Sequence, residues 1–138
     1  MIKIDLLFFG KGGSGGGADF PNTGGGNDTL PNYQNATIDP NKIYGYALNP
    51  NHPVGGHKAR VFESALGFNQ SNGSQLISEV KAKLPITQAM HKGSNKHGNL
   101  FQVDMNITGL NGNTVIVRTG WIIDFGSITP RLTTIYIP

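Results

Sequence analysis

The fold is decided by the stretch LFQVDMNIT, residues 100–108, in which apolar and polar side chains alternate. A period of two residues is typical of a β-strand with one buried face. Gly109-Leu110-Asn111-Gly112 follows, and Asn-Gly accepts the positive φ angles of a tight hairpin. A second alternating stretch, Thr114 to Ile123, predicts the returning strand. The sequence therefore predicts an antiparallel hairpin at the centre of the fold.

A third strand is predicted at Arg131 to Ile137, after a turn at Gly126 to Pro130. Strict alternation would place Arg131, Thr133, Ile135 and Ile137 on one face of this strand. Three strands with short connections form an antiparallel meander.

Two helices are predicted upstream of these strands. The first runs from about His57 to Leu66 and is stopped by Gly67, and the second runs from about Gln75 to Leu84 and is ended by Pro85. In each, apolar residues recur on one side, as in a helix that covers a core. We therefore predict an α+β fold, in which N-terminal helices pack on a twisted antiparallel meander.

Glycine is concentrated near the N-terminus, in residues 12–17 and 24–26. Such runs offer no side chains whose burial would offset the entropy of ordering the chain. We predict a flexible Gly-rich linker over residues 1–34 and one folded domain over residues 35–138. Within the domain, Asp39-Pro40-Asn41-Lys42 predicts a turn, and Ile43 to Leu48 is predicted to form a short strand or an extended edge.

Composition excludes several classes of protein. The chain has no cysteine, which rules out a disulfide framework and thiolate chemistry. No stretch reaches the roughly 18–20 apolar residues of a membrane span. The net charge of +3 permits an anionic partner but is too small to favour strong binding to duplex DNA. His91 and His97, with no carboxylate between them, make a poor metal signal. We predict a monomer without metal or cofactor.

The start of the first helix carries the strongest functional signal. Gly55-Gly56 leads directly into His57, Lys58 and Arg60. A helix N-terminus offers unpaired N–H groups and a partial positive charge, which suit phosphate. At 100° per residue, His57 and Arg60 share the face opposite the apolar arc, while Lys58 lies near that arc.

The strands add polar side chains: Arg118, Thr119, Trp121, Arg131, Thr133, Thr134 and Tyr136. The threonines, the tryptophan and the arginines each have a purely structural explanation as well. Threonine fills strands by propensity, tryptophan is often core, and each arginine could pair with Asp104 or Asp124.

Together these residues would suit metal-free cleavage of RNA. A base takes the proton of the ribose 2′-OH, an acid protonates the leaving 5′-oxygen, and cations stabilise the charge on the phosphate. His57 is the best proton-transfer candidate, because the ordinary pKa of histidine lies near neutrality. The predicted catalytic residues are His57, Arg118, Thr119, Thr133 and Tyr136. The predicted substrate-binding residues are Lys58, Arg60, Arg131, Thr134 and Trp121.

A motif string in the chain resembles a domain family found at the C-terminal tips of bacterial polymorphic toxins. The family includes filamentous-haemagglutinin-like and contact-dependent inhibition proteins. The string is Gly45-Tyr46-Ala47-Leu48-Asn49-Pro50, His52 to Phe62, Val103-Asp104, Gly109 to Gly112, Val117 to Ile123 and Pro130 to Thr134. The order of helices and sheet is also similar to the barnase/EndoU/colicin/RelE group of ribonuclease toxins.

The resemblance implies a toxin module that is carried by a secreted or surface-delivered protein and acts in the cytoplasm of the target cell. It also implies an upstream tether and a cognate immunity protein. With the local chemistry, it favours a ribonuclease acting on tRNA or other structured RNA. The alternatives are a non-enzymatic protein-binding module and an enzyme that acts on a nucleotide or NAD.

Overall fold

The computed structural model of the chain describes residues 28–138. In this range, three α-helices precede the sheet: α1 (Pro40–Lys42), α2 (Gly56–Leu66) and α3 (Gly73–Lys83). α1 continues without a break into a π-helical turn, Ile43–Ala47. Short 3-10 turns lie at Tyr33–Asn35, Gln70–Asn72 and Leu84–Ile86.

The sheet contains the strands β1 (Ala89–Ser94), β2 (Gly98–Thr108), β3 (Thr114–Asp124) and β4 (Arg131–Tyr136). They lie in the order β1-β2-β3-β4, and every neighbouring pair is antiparallel. The predicted α+β class and the antiparallel meander are therefore confirmed, with one strand more than the sequence predicted.

The two main helices and the central hairpin were predicted correctly. α2 ends at Leu66 because Gly67 adopts a φ of 81°, and the N–H of Gly67 donates to the Glu63 carbonyl. α3 begins at Gly73, two residues earlier than predicted. β2 and β3 pair over their whole length, from Gly98 opposite Asp124 to Thr108 opposite Thr114.

The prediction of a strand or extended edge over Ile43 to Leu48 was wrong, because Ile43–Ala47 forms the π-helical turn that continues α1. The Asp39 carboxylate accepts a hydrogen bond from the Asn41 N–H, and Pro40 occupies the first helical position. These are helix-start signals. They outweigh the alternation of apolar residues that suggested a strand.

Strict alternation in β4 was also wrong. The register shifts between Gly120 and Trp121 of β3, so that Gly120 lies opposite Thr134 and Trp121 lies opposite Leu132. Thr133 is the extra residue of this bulge. The bulge allows both Leu132 and Ile135 to reach the core.

The core lies between the helices and one face of the sheet. From β2 and β3 it takes residues of the predicted apolar face, and β4 adds Leu132 and Ile135; the β2 and β3 residues are Phe101, Val103, Met105, Ile107, Val117, Trp121 and Ile123. Phe62 and Leu66 of α2 and Leu76 and Val80 of α3 pack against this face, together with apolar residues of the turns and loops.

The ordered core begins before the predicted boundary at Asn35. Leu30 is buried in the core, and the Asp28 carbonyl accepts a hydrogen bond from the Ala89 N–H of β1. The rest of the predicted linker, residues 1–27, lies outside the described residues.

The turn between β2 and β3 is attached to the end of α2. The Leu66 carbonyl accepts from the Leu110 N–H at 2.8 Å. The side-chain amides of Asn111 and Asn113 donate to the Ala65 carbonyl at 3.1 and 3.3 Å. Carbonyls that the last helical turn leaves unpaired are thus satisfied by a distant segment of the chain.

Candidate functional site

The start of α2 is shaped by His52 in the preceding loop. The Nδ1 atom of His52 accepts hydrogen bonds from the backbone N–H groups of Val54 and Gly55, at 3.0 and 2.9 Å. The His52 carbonyl accepts from the Gly56 N–H at 2.9 Å. Because Nδ1 acts as an acceptor, the ring proton of neutral His52 lies on Nε2.

The ring of Tyr46, from the π-helical turn, packs beside this loop. The rings of Tyr46 and His52 meet edge to face, with 5.0 Å between their centres. Gly55 also lies directly against the Tyr46 ring, and a Cβ atom at this position would overlap that ring. Glycine is therefore required at position 55 so that the backbone can approach the tyrosine.

Lys58 lies between two tyrosine rings. Its Nζ atom is 4.7 Å from the centre of the Tyr136 ring and 5.4 Å from the centre of the Tyr46 ring. These are distances at which an ammonium group is attracted to the face of an aromatic ring. The helical angle placed Lys58 near the apolar arc, and the structure shows how it is accommodated: its buried ammonium group meets two aromatic faces.

Arg118 of β3 is held by Asp104 of β2. Its Nε and Nη2 atoms each donate to one carboxylate oxygen at 2.9 Å, in a bidentate arrangement. The side-chain amide of Gln102 donates to both oxygens at 3.3 Å. The Asp104 carboxylate holds the pKa of Arg118 above its ordinary value, and hydrogen bonding to Tyr136 acts in the same direction against the effect of burial.

Tyr136 joins these features into one site. It lies opposite Arg118 in the pairing of β3 with β4, and its ring lies beneath Lys58. We call Lys58, Asp104, Arg118 and Tyr136 the Tyr136 cluster. It brings two cations, one carboxylate and a phenol together at the junction between the start of α2 and the sheet, and the Lys58 Nζ atom is buried there.

His57 and Arg60 are exposed on α2, as the helical angles predicted. The Nη1 atom of Arg60 donates to the Pro50 carbonyl at 3.3 Å. His57 directly precedes Lys58 in α2, and its side chain is exposed to solvent.

Thr119 and Trp121 do not lie at a surface. Both are completely buried, the Thr119 hydroxyl donates to the Val103 carbonyl at 2.8 Å, and the Trp121 indole N–H donates to that hydroxyl at 2.9 Å. Their predicted catalytic and substrate-binding roles are therefore corrected to a structural role, because neither side chain can reach a ligand.

Thr133 and Thr134 are also buried, at 3% and 2% exposure. Neither hydroxyl has a hydrogen-bond partner among the described residues. The Thr133 carbonyl accepts from Lys42 Nζ at 3.2 Å, which covers this part of the sheet edge. Burial removes both threonines from the predicted set of substrate-contacting residues.

Arg131 lies at the other end of the sheet. Its Nε and Nη2 atoms donate to the Asp124 carboxylate at 2.7 and 3.1 Å. Hydrogen bonding to Arg131 holds the pKa of Asp124 below its ordinary value, against burial, and the charges of Arg131 and His97 add to this effect. The structural alternative is thus confirmed for both arginines: Arg118 pairs with Asp104, and Arg131 pairs with Asp124.

Comparison with protein families gives a match over most of the chain. The model of a domain of unknown function, DUF6883, matches residues 29–138. The chain belongs to the DUF6883 family. Comparison with curated proteins and comparison with solved structures gave no match. The matched range begins one residue after the first described residue, so the family domain coincides with the part of the chain that the structure describes.

Three residues of this family domain contribute to the site although the sequence did not identify them. Tyr46 was assigned to an extended edge, His52 to an exposed loop, and Asp104 only to a structural ion pair. Tyr46 and His52 both belong to the motif string that carried the resemblance, so their position in that string was the available signal. Their contacts depend on the folding of the loop and could not be derived from spacing.

Two further properties of the described residues bear on the site. Within residues 28–138, no group of three or more histidine and carboxylate side chains is arranged to hold a metal ion. None of the helices in this range combines the length and apolar character needed to cross a bilayer.

Proposed function

We propose that this domain is a metal-independent endoribonuclease and the toxic module of a bacterial polymorphic toxin. The observation that carries the proposal is the placement of Tyr136 between Lys58 and Arg118. The first cation lies 4.7 Å from the ring centre, and the second lies opposite in the strand register. A site of this kind can bind a phosphodiester and exchange a proton with it.

Cleavage would follow the transphosphorylation route. The ribose 2′-oxygen attacks the adjacent phosphorus, a P–O bond forms, and the bond from phosphorus to the 5′-oxygen breaks. The products are a 2′,3′-cyclic phosphate and a free 5′-hydroxyl. RNA provides its own nucleophile, so the protein needs only to position the substrate, transfer protons and stabilise negative charge.

The residues of the site divide these tasks. Arg118, whose side chain is partly exposed, stabilises the charge that grows on the phosphate oxygens, and the buried ammonium group of Lys58 adds its positive charge from a greater distance. The bidentate bond to Asp104 fixes the orientation of Arg118 before the substrate arrives, which reduces the cost of reorganisation. His57 accepts the 2′-OH proton, and the Tyr136 hydroxyl donates to the leaving 5′-oxygen.

The biological setting of the proposal comes from the resemblance described above. The substrate would be tRNA or another structured RNA in the cytoplasm of a target cell. The domain would be delivered by a larger secreted or surface protein, and a cognate immunity protein would neutralise it in the producing cell.

Incubation of the purified chain with total bacterial RNA in EDTA tests the proposal. The variants are Tyr136→Phe, which keeps the ring beneath Lys58 but removes the hydroxyl, and His57→Ala. Lys81→Ala is a matched control, because Lys81 is exposed on α3 and lies outside the Tyr136 cluster. We expect discrete fragments ending in 2′,3′-cyclic phosphate from the wild type and from Lys81→Ala. The two site variants should be slower by about 100-fold or more.

Other outcomes separate the parts of the proposal. Full activity in His57→Ala would show that another residue acts as the base. Full activity in Tyr136→Phe would show that the phenol does not take part in the reaction. A folded wild type that produces no fragments, with or without added magnesium, contradicts the ribonuclease function. A 1:1 protein complex without RNA turnover would favour the binding-module alternative, and release of nicotinamide would favour an enzyme acting on NAD.

A further inference from the structure

A second polar and aromatic surface lies at the end of the sheet where Arg131 pairs with Asp124. It is formed by the connection from β1 to β2, which carries Lys96 and His97, and by the connection from β3 to β4, which carries Phe125 and Ile128. We call these four residues the loop surface. Phe125 is 61% exposed and Ile128 is 70% exposed, while Lys96 and His97 are also exposed.

The two connections are fixed to one another and to the domain. The Phe125 N–H donates to the His97 carbonyl at 2.8 Å, and the side-chain amide of Asn32 donates to the Ile128 carbonyl at 2.8 Å. The carboxamide oxygen of Asn95 accepts from the N–H groups of His97 and Gly98, at 2.7 and 3.0 Å. Phe125 is therefore displayed to solvent by an anchored backbone, so a ligand would bind it with little ordering cost.

The charge around Phe125 favours an anionic ligand. Besides the Arg131–Asp124 pair, the segments 89–99 and 124–131 contain Lys92, Lys96, His91 and His97. Their only carboxylate is Asp124, and it is neutralised by the bidentate bond to Arg131. An exposed aromatic ring flanked by cations is the combination that binds single-stranded nucleic acid, where bases stack on the ring and cations meet the phosphates.

We propose that the loop surface is a nucleotide-binding subsite for an unpaired stretch of the RNA substrate. One base stacks on Phe125, and the adjoining phosphate lies near Lys96. The proposal rests on the ribonuclease function proposed above and adds a recognition site to it. Along β3, Asp124 lies six positions after Arg118, or about 20 Å at roughly 3.4 Å per residue. A few nucleotides of extended strand would connect the subsite with the Tyr136 cluster.

Fluorescence anisotropy with a labelled, single-stranded 2′-O-methyl oligoribonucleotide tests this subsite separately from cleavage. The blocked 2′-oxygen cannot attack phosphorus, so binding is measured without turnover. Phe125→Ala and Phe125→Leu should each weaken binding by about ten-fold, and Phe125→Tyr should bind like the wild type, because stacking needs an aromatic face. Leu110→Ala is the matched control, because Leu110 is 51% exposed at the opposite end of the hairpin. It should leave binding unchanged.

Lys96→Gln provides an independent readout. Loss of one phosphate contact should lower the slope of log K against log salt concentration by about 0.7 for a single strand. A merely structural effect on the loop would not change this slope. Phe125 and Lys96 are exposed, so these variants should melt at the wild-type temperature.

Three results would overturn the subsite. Equal dissociation constants for Phe125→Ala and Leu110→Ala exclude a base on Phe125. If Phe125→Leu binds the oligoribonucleotide like the wild type while Phe125→Ala loses binding, position 125 makes an apolar contact and does not stack on a base. An unchanged salt slope in Lys96→Gln would exclude the phosphate contact.

Cleavage of unmodified RNA keeps this proposal distinct from the proposed function. If the wild type cleaves RNA and substitution of Phe125 does not change binding, the subsite is contradicted and the ribonuclease function is supported. If Phe125 controls binding but the wild type never cleaves unmodified RNA, the nucleotide-binding subsite is supported and the ribonuclease function is contradicted.

Discussion

The Nζ atom of Lys58 lies 4.7 Å from the centre of the Tyr136 ring, and this contact connects the first turn of α2 with the last residue of β4. The Nζ atom of Lys58 is buried, and a desolvated cation over an aromatic face contributes about 2 kcal/mol. We predict that Lys58→Met and Tyr136→Leu couple by about this amount in a double-mutant cycle measured by urea unfolding. Additive effects of the two substitutions would show that the contact contributes nothing to stability.

The two aspartate–arginine pairs of the sheet should differ in their contribution to stability. Asp104 is less exposed than Asp124 and accepts from both Arg118 and Gln102. We predict that Asp104→Asn lowers the free energy of unfolding by about 1.5–3 kcal/mol, as for hydrogen bonds to charged groups. Asp124→Asn, in an exposed pair, should cost less than about 1 kcal/mol. Equal costs in denaturant unfolding would contradict the distinction.

The titration of Asp124 provides a prediction about pH. Its pKa in the folded domain is lowered by Arg131, so the pair contributes its stability fully above the unfolded pKa of about 3.9 and loses it as the pH falls through the lower folded value. An NMR titration of the carboxyl group should show the lowered pKa, and Arg131→Ala should move it back towards the ordinary value. A carboxyl that titrates identically in both proteins would contradict the assignment of Arg131 as the main cause.

The hydrogen bonds to His52 predict which substitutions the loop tolerates. Asparagine can place an acceptor oxygen close to the position of Nδ1, whereas leucine cannot accept a hydrogen bond. We predict that His52→Asn keeps most of the stability and activity. His52→Leu should be destabilised by about 1–3 kcal/mol, because the N–H groups of Val54 and Gly55 lose their partner. Equal melting temperatures of the two variants would show that the acceptor at position 52 is unimportant.

Periodicity was sufficient to predict the main elements. The hairpin of β2 and β3 and the helix α2 each have one clear apolar side, and their ends are marked by Asn-Gly and by Gly67. β1 could not be predicted, because Ala89–Ser94 shows no alternation in burial and forms a strand by pairing with β2. The extra residue in β4 depends likewise on the register with β3, which no local pattern records.

The site was predictable only in part, for a related physical reason. The sequence identified the cations Lys58 and Arg118 and the phenol of Tyr136, because residue type suggests chemistry directly. It did not separate these residues from Thr119 and Trp121, whose polar groups satisfy each other inside the core. That distinction depends on burial, which is a property of the whole fold.

The attachment of the β2–β3 turn to α2 has a consequence for the order of folding. The carbonyls of Ala65 and Leu66 find their partners in Leu110, Asn111 and Asn113, more than 40 positions along the chain. The last turn of the helix that carries Lys58 is therefore completed only when the hairpin has closed and docked. A ribosome-bound chain that ends before Leu110 lacks the donors that finish this helix, so the site would mature late in synthesis, after most of the sheet has emerged.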